Sequence, residues 1–303
     1  MFEEYPKYEY PIAAFQLSMV MMGMGAKLGW RDFLHMAKRP KSLAIGLVCQ
    51  WIVIPLLAVG FGKMLGLGPG LAFGFVLVAA MPGGPMSTLY THFGGGNAPL
   101  AIAMTAITTL ASLVTVPLLL EVFGGAATAA GVAMPLGEIL REIGLFLFLP
   151  LVAGMAIAEN APKIRGFVAR WGMRLGTMAL LVIVAGSLGS GRVKPMEHGA
   201  GLLVWIIVFC VVSQQLSMIP FRIFKLPGED RLAVGIEMTI RDINLALLLK
   251  ASLFPAGRGD ETFGNAVLFV TLCYGGTALV AGAITAVIFR FVLHPRERKP
   301  QPV

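Results

Sequence analysis

The sequence predicts an all-α polytopic membrane protein with about nine transmembrane helices, and three observations predict it. The first is composition. Of 303 residues, 57% are hydrophobic and 13% charged, with a mean hydropathy of +0.80, whereas a soluble domain is roughly half apolar and a quarter charged. The second is that apolar stretches close to the roughly 20 residues needed to cross a bilayer recur along nearly the whole chain. The third is that the connections alternate between basic and acidic or neutral, as they do when basic loops stay in the cytoplasm. The net charge of +8 sits mostly in short connections, which points to a membrane and away from nucleic acid.

The first span, near 11–30, follows an acidic N-terminal segment, Glu3, Glu4 and Glu9 against Lys7. That segment has neither a basic leader nor a small-residue cleavage site, so the span is expected to insert as an anchor with its N-terminus outside. Its run MVMMGMG has the small-residue spacing that lets helices approach closely. Lys27, Arg31, Lys38, Arg39 and Lys41 surround the connection to the second span, 41–61, which carries Gln50 just before WIVIPLL. The third span, 70–93, and the fourth, 97–122, lead to the acidic connection around Glu121. The fifth, 136–158, opens on Glu138 and Glu142, and the sixth, 171–188, follows Lys163, Arg165 and Arg170. The seventh, 198–224, holds Gln214 and Gln215, expected to hydrogen-bond between helices. The eighth covers 228–254. The ninth, 263–292, enters behind Asp260 and Glu261 and exits through Arg290 to Arg296, Arg298 and Lys299. Nine spans place the N-terminus outside and the C-terminus in the cytoplasm of a bacterial inner membrane, and an even count breaks the alternation.

Two spans are interrupted. The third contains AAMPGGPMSTLYTHFGGGN, where Pro82 and Pro85 lack N–H donors and Gly83 and Gly84 accept non-helical angles. Unwound backbone at membrane depth persists only when buried in protein or lining a wet cavity. Ser87 and Thr88 follow, at the start of a second half-helix whose free N–H groups favour an anion. The eighth, GIEMTIRDINLALLLKASLFP, places Glu237, Arg241, Asp242 and Asn244 within two helical turns. A charge at the bilayer centre costs roughly 2.5–3.5 kcal/mol. Either Glu237 and Arg241 form a structural bridge one turn apart, or the cluster marks an ion or substrate pathway. Cys49, Cys210 and Cys273 all lie in apolar segments without metal-ligand spacing.

Taken together, MGMG in the first span, KRPKSLAIGLVCQWIVIPLLA into the second, PGG…S…GN…AMT…TL through the third and fourth, and IE before an LA-bearing helix in the eighth resemble the bile acid:sodium symporters. The resemblance is collinear over most of the chain. It implies a transporter built from inverted five-helix repeats, with two discontinuous helices crossing, and this chain looks like a nine-helix member. A single transmembrane domain, 1–303, is then divided into panel helices (about 11–30, 136–158 and 171–188) and core helices (about 41–122 and 198–292). Carried over residue by residue, one sodium site uses Ser87, Thr88, Thr105 and Glu237. The other uses Gln50 and the backbone near Met238 and Ile240, with Arg241 where relatives have glutamine. Gly84, Pro85, Asp242 and Asn244 are expected beside substrate. The sequence departs from the family at Pro85, Thr88, Ala101, Arg241 and Asp242. Arg241 is expected to act as an internal cation in place of one sodium, with Glu237 and Asp242 balancing it.

The function expected is uptake of a small organic anion, bile-acid-like or a carboxylate metabolite, by alternating access coupled to one Na+ or H+. The alternative is a sodium-independent carrier or exchanger. The partners expected are the substrate anion and the bilayer; no cofactor beyond a coupling Na+, no nucleic acid and no obligate protein partner is implied. An intramembrane hydrolase is not expected, because no HExxH, GxSxG or aspartate pair on separate helices is present.

Overall fold

The computed structural model describes residues 4–28, 40–129, 131, 135–193, 199–255 and 261–293, and these are helical apart from short connections. The helices are α1 (Tyr5–Gly25), α2 (Pro40–Met64), α3 (Pro69–Ala80), α4 (Met86–Phe93), α5 (Ala98–Phe123) and α6 (Leu136–Asn160). There follow α7 (Pro162–Gly189), α8 (Gly199–Ile223), α9 (Gly228–Thr239), α10 (Ile243–Leu253) and α11 (Glu261–Val292). Among the described residues, six of these are long and apolar enough to cross a membrane: α2, α5, α6, α7, α8 and α11. Their outer faces carry exposed apolar side chains, such as Val114, Leu118 and Val122 on α5, Met178 and Leu181 on α7, and Val280 and Ile284 on α11. Water would penalise that surface; lipid tails do not. The protein is a multi-pass membrane protein. The basic connection with Arg31, Lys38 and Arg39, the acidic Asp260, and the tail with Arg296, Arg298 and Lys299 lie outside the described residues.

Two boundaries differ from the sequence expectation. Helix α1 begins at Tyr5, and Pro11, the expected start, lies inside it. Pro6 in the first turn supplies the N-terminal signal, since its missing donor would be unbonded there anyway. Glu9 is therefore a buried helical residue, 3% exposed, and not part of an external segment. Helix α7 begins at Pro162, so Lys163, Arg165 and Arg170 extend the helix beyond its apolar part. Charged residues with straight chains are good helix formers, and a hydropathy reading sees only the lipid-depth portion.

Two of the three π-segments among the described residues, Cys49–Val53 in α2 and Ile143–Phe148 in α6, end two residues before a proline, Pro55 and Pro150. Proline removes one backbone donor and its ring clashes with a carbonyl one turn back; widening the turn relieves both. In α2 this places Gln50 on the buried side, 1% exposed.

Helix packing depends on small residues. A Cβ at Gly172 of α7 would stand 2.6 Å from the Met19 carbonyl of α1, so the two backbones touch, as small-residue interfaces permit. Helix α3 packs on α11 in the same way, Gly74 lying against Val270. Phe61, Phe75, Phe209 and Tyr274 stack edge-on or tilted between α2, α3, α8 and α11. Gln214 accepts from Thr285 of α11 at 2.9 Å, the expected interhelical bond, while Gln215 is exposed.

Candidate functional site

Helices α3 and α4 are separated by Met81–Pro82–Gly83–Gly84–Pro85, and α9 and α10 by Ile240–Arg241–Asp242. The two breaks pair with each other. Gly83 and Arg241 form an antiparallel bridge. Gly84 N–H donates to Ile240 O at 2.8 Å, and Asp242 N–H to Pro82 O at 2.9 Å. Backbone groups freed by one break are thus satisfied by the other, which is what buried non-helical chain requires. The glycines are needed for this approach: a Cβ on Gly84 would lie 2.7 Å from Arg241 O, and one on Gly83 would overlap the Glu237 carboxylate.

On one side of the crossing is Glu237, fully buried. Thr105 donates to its Oε1 at 2.7 Å, and Ser87 Oγ lies 3.3 Å from Thr105 Oγ1. The other carboxylate oxygen, Oε2, has no hydrogen-bond partner among the described residues. Ser87, Thr105 and Glu237, drawn from three helices, are brought together as expected. Thr88 is not. It lies on the wall of a neighbouring cleft, and no hydrogen bond joins it to Glu237.

The position of Arg241 corrects the sequence expectation. Its side chain is 3% exposed, yet no carboxylate among the described residues lies within ion-pair distance of it, neither Glu237 one turn back nor Asp242. Nε donates to Met238 O at 3.0 Å, and one terminal nitrogen donates to Met81 O at 3.1 Å. Gln50 Nε2 donates to the same Met81 oxygen at 2.6 Å. The guanidinium therefore sits among backbone carbonyls exposed by the two breaks, against the last turn of α9. Asp242 is occupied differently: it caps α10, accepting from the Asn244 N–H at 3.1 Å and the Asn244 amide at 2.8 Å. This is the usual work of an N-cap aspartate.

Asn244 in turn accepts from Gln16 of α1 at 2.8 Å, a residue the sequence reading missed. Gln16 is fully buried, and by itself it shows in the sequence as an amide in an otherwise apolar span. Four buried oxygens here lack partners among the described residues: Glu237 Oε2, Asp242 Oδ2, Gln50 Oε1 and Gln16 Oε1. Each is an acceptor, so the region as built asks for protons, water or a cation.

A cleft of about 260 Å³ reaches the crossing from the end of α1 that carries Lys27. Pro85, Thr88 and Thr105 form one wall, and Met24, Lys27 and Met173 another. Thr105 thus faces both Glu237 and the cleft. A larger cleft, about 640 Å³, lies between Lys63, Val76 and Val122 and shares no residue with the crossing; it is lined almost wholly by apolar side chains. Among the described residues, no group of three His, Cys, Asp or Glu side chains is placed to hold a metal ion, so any ion here meets hydroxyl, amide, carbonyl and single carboxylate oxygens. Such hard ligands suit an alkali or alkaline-earth cation.

A sequence profile of the Sodium Bile acid symporter family matches residues 14–191. The uncharacterized sodium-dependent transporter YocS of Bacillus subtilis is 25% identical over 238 residues, 78% of this chain and 73% of its own length. The probable sodium/metabolite cotransporter BASS1 of Arabidopsis thaliana is 32% identical over 277 residues, 90% of this chain and 65% of its own. The human hepatic sodium/bile acid cotransporter is 26% identical over 286 residues, 92% and 79%. These relatives are named as transporters, not enzymes, which agrees with an oxygen-lined crossing reached by a cleft. A profile match over more than half the chain, and helices broken where PGGP and IRD fall, make this protein a member of the sodium bile acid symporter family.

Proposed function

We propose that the protein is a secondary active transporter of a small organic anion, a bile-acid-like molecule or a carboxylate metabolite, driven by a single Na+. The observation that carries this is the contrast between two parts of one crossing. Beside Glu237 there is a buried carboxylate oxygen with no partner among the described residues, and two hydroxyls, Ser87 and Thr105, within reach. Beside Met81 and Met238 a guanidinium already holds the carbonyls that a second cation would need. Sodium is cargo at the first and has no place at the second. Gln50, one of the expected ion ligands, then acts as a second donor to Met81 O.

Sodium at Glu237 neutralises a buried carboxylate that packs against Gly83, so ion occupancy bears on how the two breaks fit together. An ion drives transport only if it changes the relative stability of the carrier's states. Gly84, Pro85, Asp242 and Asn244 surround the crossing, and with Thr88 on the cleft wall they are the residues we assign to substrate. We read α1 and the two interrupted pairs as three further membrane crossings, nine in all, in a bacterial inner membrane with the N-terminus outside. The order helix, broken helix, helix occurs in α2–α5 and again in α8–α11, which supports an inverted repeat. These helices form a core that moves against α1, α6 and α7. The cleft then faces the cytoplasm.

Uptake into proteoliposomes tests the proposal, with a panel of labelled bile acids and small carboxylates under inward Na+, K+ or proton gradients. Uptake that needs Na+, with a Hill coefficient near one, is expected. Equal uptake without Na+ would overturn the coupling and leave a sodium-independent carrier, a reading the sodium-dependent names of YocS and the hepatic cotransporter do not favour.

A further inference from the structure

At the opposite end of α1 from Lys27 lies a buried ionic cluster that the transport site does not use. Lys250 of α10, fully buried, donates to both carboxylate oxygens of Glu9, at 2.7 and 2.9 Å. Arg192 donates to the same carboxylate, and its Nε donates to Asn265 of α11 at 2.8 Å. Two cations share one carboxylate, all three side chains less than a tenth exposed.

The cluster lies where two pairs of helices meet. Glu9 and Arg192 belong together: α1 lies on α7, the Tyr5 ring packs on Gly186, and the Arg192 backbone folds back onto Ser187 O just past the end of α7. Lys250 and Asn265 also belong together, because α10 and α11 meet through Phe254 and Phe263, ring centroids 4.9 Å apart. If these pairs separate, Glu9 keeps Arg192. Lys250 then loses every side-chain partner it has among the described residues. Separation therefore leaves an unpaired ammonium lining the opened route, where an anionic group can replace the Glu9 carboxylate in charge-assisted hydrogen bonds.

We propose that Lys250 is an anion-binding residue of the transport route, holding the Glu9 carboxylate in the closed arrangement seen here and an anionic group of the substrate when α1 moves away. This rests on the transport reading above and deepens it by giving the substrate's charge a partner at the face that is shut. Glu9 is then an internal surrogate for substrate. It closes the route with the same bonds that the substrate makes when the route is open. Helix α10 links this position to the crossing: Asn244 at its start bonds Gln16, and Lys250 near its end bonds Glu9, two ties from α10 to one face of α1.

The test reads accessibility and charge without needing the substrate. Cys49, Cys210 and Cys273 are replaced by alanine, and Ala13, buried between the two ties, is changed to cysteine. The protein in lipid nanodiscs is labelled with small methanethiosulfonates, one anionic and one cationic. With Glu9 present, both label slowly. In Glu9→Gln, labelling should rise at least tenfold, with the anionic reagent faster by roughly tenfold, the lower end of the gain expected from one facing charge. Adding Lys250→Gln should keep the fast labelling and lower that preference to what Arg192 alone supplies. Should Glu9→Gln fail to give a monodisperse protein, Lys250→Gln alone decides: labelling rises with no preference for the anionic reagent, because Arg192 still neutralises Glu9. Protection of the cysteine in both single variants overturns the closure, and an anionic preference undiminished by loss of Lys250 overturns the binding role. A protein that labels as stated but carries no solute overturns the transport reading alone.

Discussion

Arg241→Gln removes the fixed cation while keeping a side chain of similar reach. In the structure the guanidinium makes two bonds to carbonyls, Met238 O at 3.0 Å and Met81 O at 3.1 Å. A hydrogen bond with one charged partner contributes about 1.5–3 kcal/mol. Met81 O keeps the Gln50 amide at 2.6 Å, so the uncompensated loss falls near the low end of the pair, about 3 kcal/mol. The carbonyls so freed are hard oxygen ligands, and Na+ is the abundant cation that suits them. A bound ion restores about 2.7 kcal/mol when present at 100 times its dissociation constant. We therefore expect the variant to lose about 3 kcal/mol of stability in sodium-free buffer and to regain most of it in sodium, while wild type responds less. Thermal unfolding in NaCl against N-methylglucamine chloride at constant ionic strength measures this. Uptake across a sodium series supplies the second readout, with the Hill coefficient rising above one in the variant. Because the freed groups are carbonyls and not carboxylates, low pH should not substitute for sodium. Steep two-sodium cooperativity in wild type, or equal recovery in either salt, would refute the idea that Arg241 stands in an ion's place.

Glu237→Gln should abolish the sodium response of uptake while leaving an inserted, monodisperse protein, since Thr105 can still donate to an amide oxygen; retained sodium activation would remove Glu237 from the ion site. Gly84→Ala forces a methyl to within 2.7 Å of Arg241 O, between two backbones that cannot yield cheaply, a strain of about 1–3 kcal/mol. Transport should fall at least tenfold, and unchanged flux would mean the pairing of the two breaks is dispensable. Thr88→Val should raise KM for substrate without altering sodium activation, because Thr88 faces the cleft and not Glu237; the opposite split returns it to the ion. A cysteine at Lys7, an exposed position near Tyr5, should react with impermeant thiol reagent in intact cells, and a C-terminal fluorescent fusion should fold in the cytoplasm; both ends on one side would exclude nine crossings.

The break at Gly83 was legible because proline and glycine announce it locally. The break at Ile240–Asp242 was legible only as misplaced charge, since no residue there forbids helix. What opens it is the pairing with Pro82 and Gly84, a partner more than 150 residues away in sequence. The union of Ser87, Thr105 and Glu237 was recoverable through family resemblance. The surroundings of Arg241 were not, because its partners are main-chain carbonyls and every residue has one. Glu9 and Gln16 escaped for another reason: a span count starting at Pro11 assigns the acid to a loop, and a lone glutamine reads as helix contact. Their spacing of seven residues, which puts both on one face of a helix that begins earlier, was the signal available.

Helix α1 touches the route at three heights: Glu9 at one end, Gln16 between, and Met24 with Lys27 on the cleft at the other. At 1.5 Å per residue, Glu9 lies about 10 Å from Gln16 on one side and Lys27 about 16 Å on the other. A rod held near Gln16 is a seesaw. Tilting it by about 15° swings the Lys27 end by about 4 Å and the Glu9 end by about 3 Å the opposite way, on the same rise per residue. The second displacement is enough to part Glu9 from Lys250, and the first is enough to narrow the cleft. On the proposed transport reading, one tilt would open one mouth as it pinched the other, so that the two need not gape together and a driving gradient would not leak.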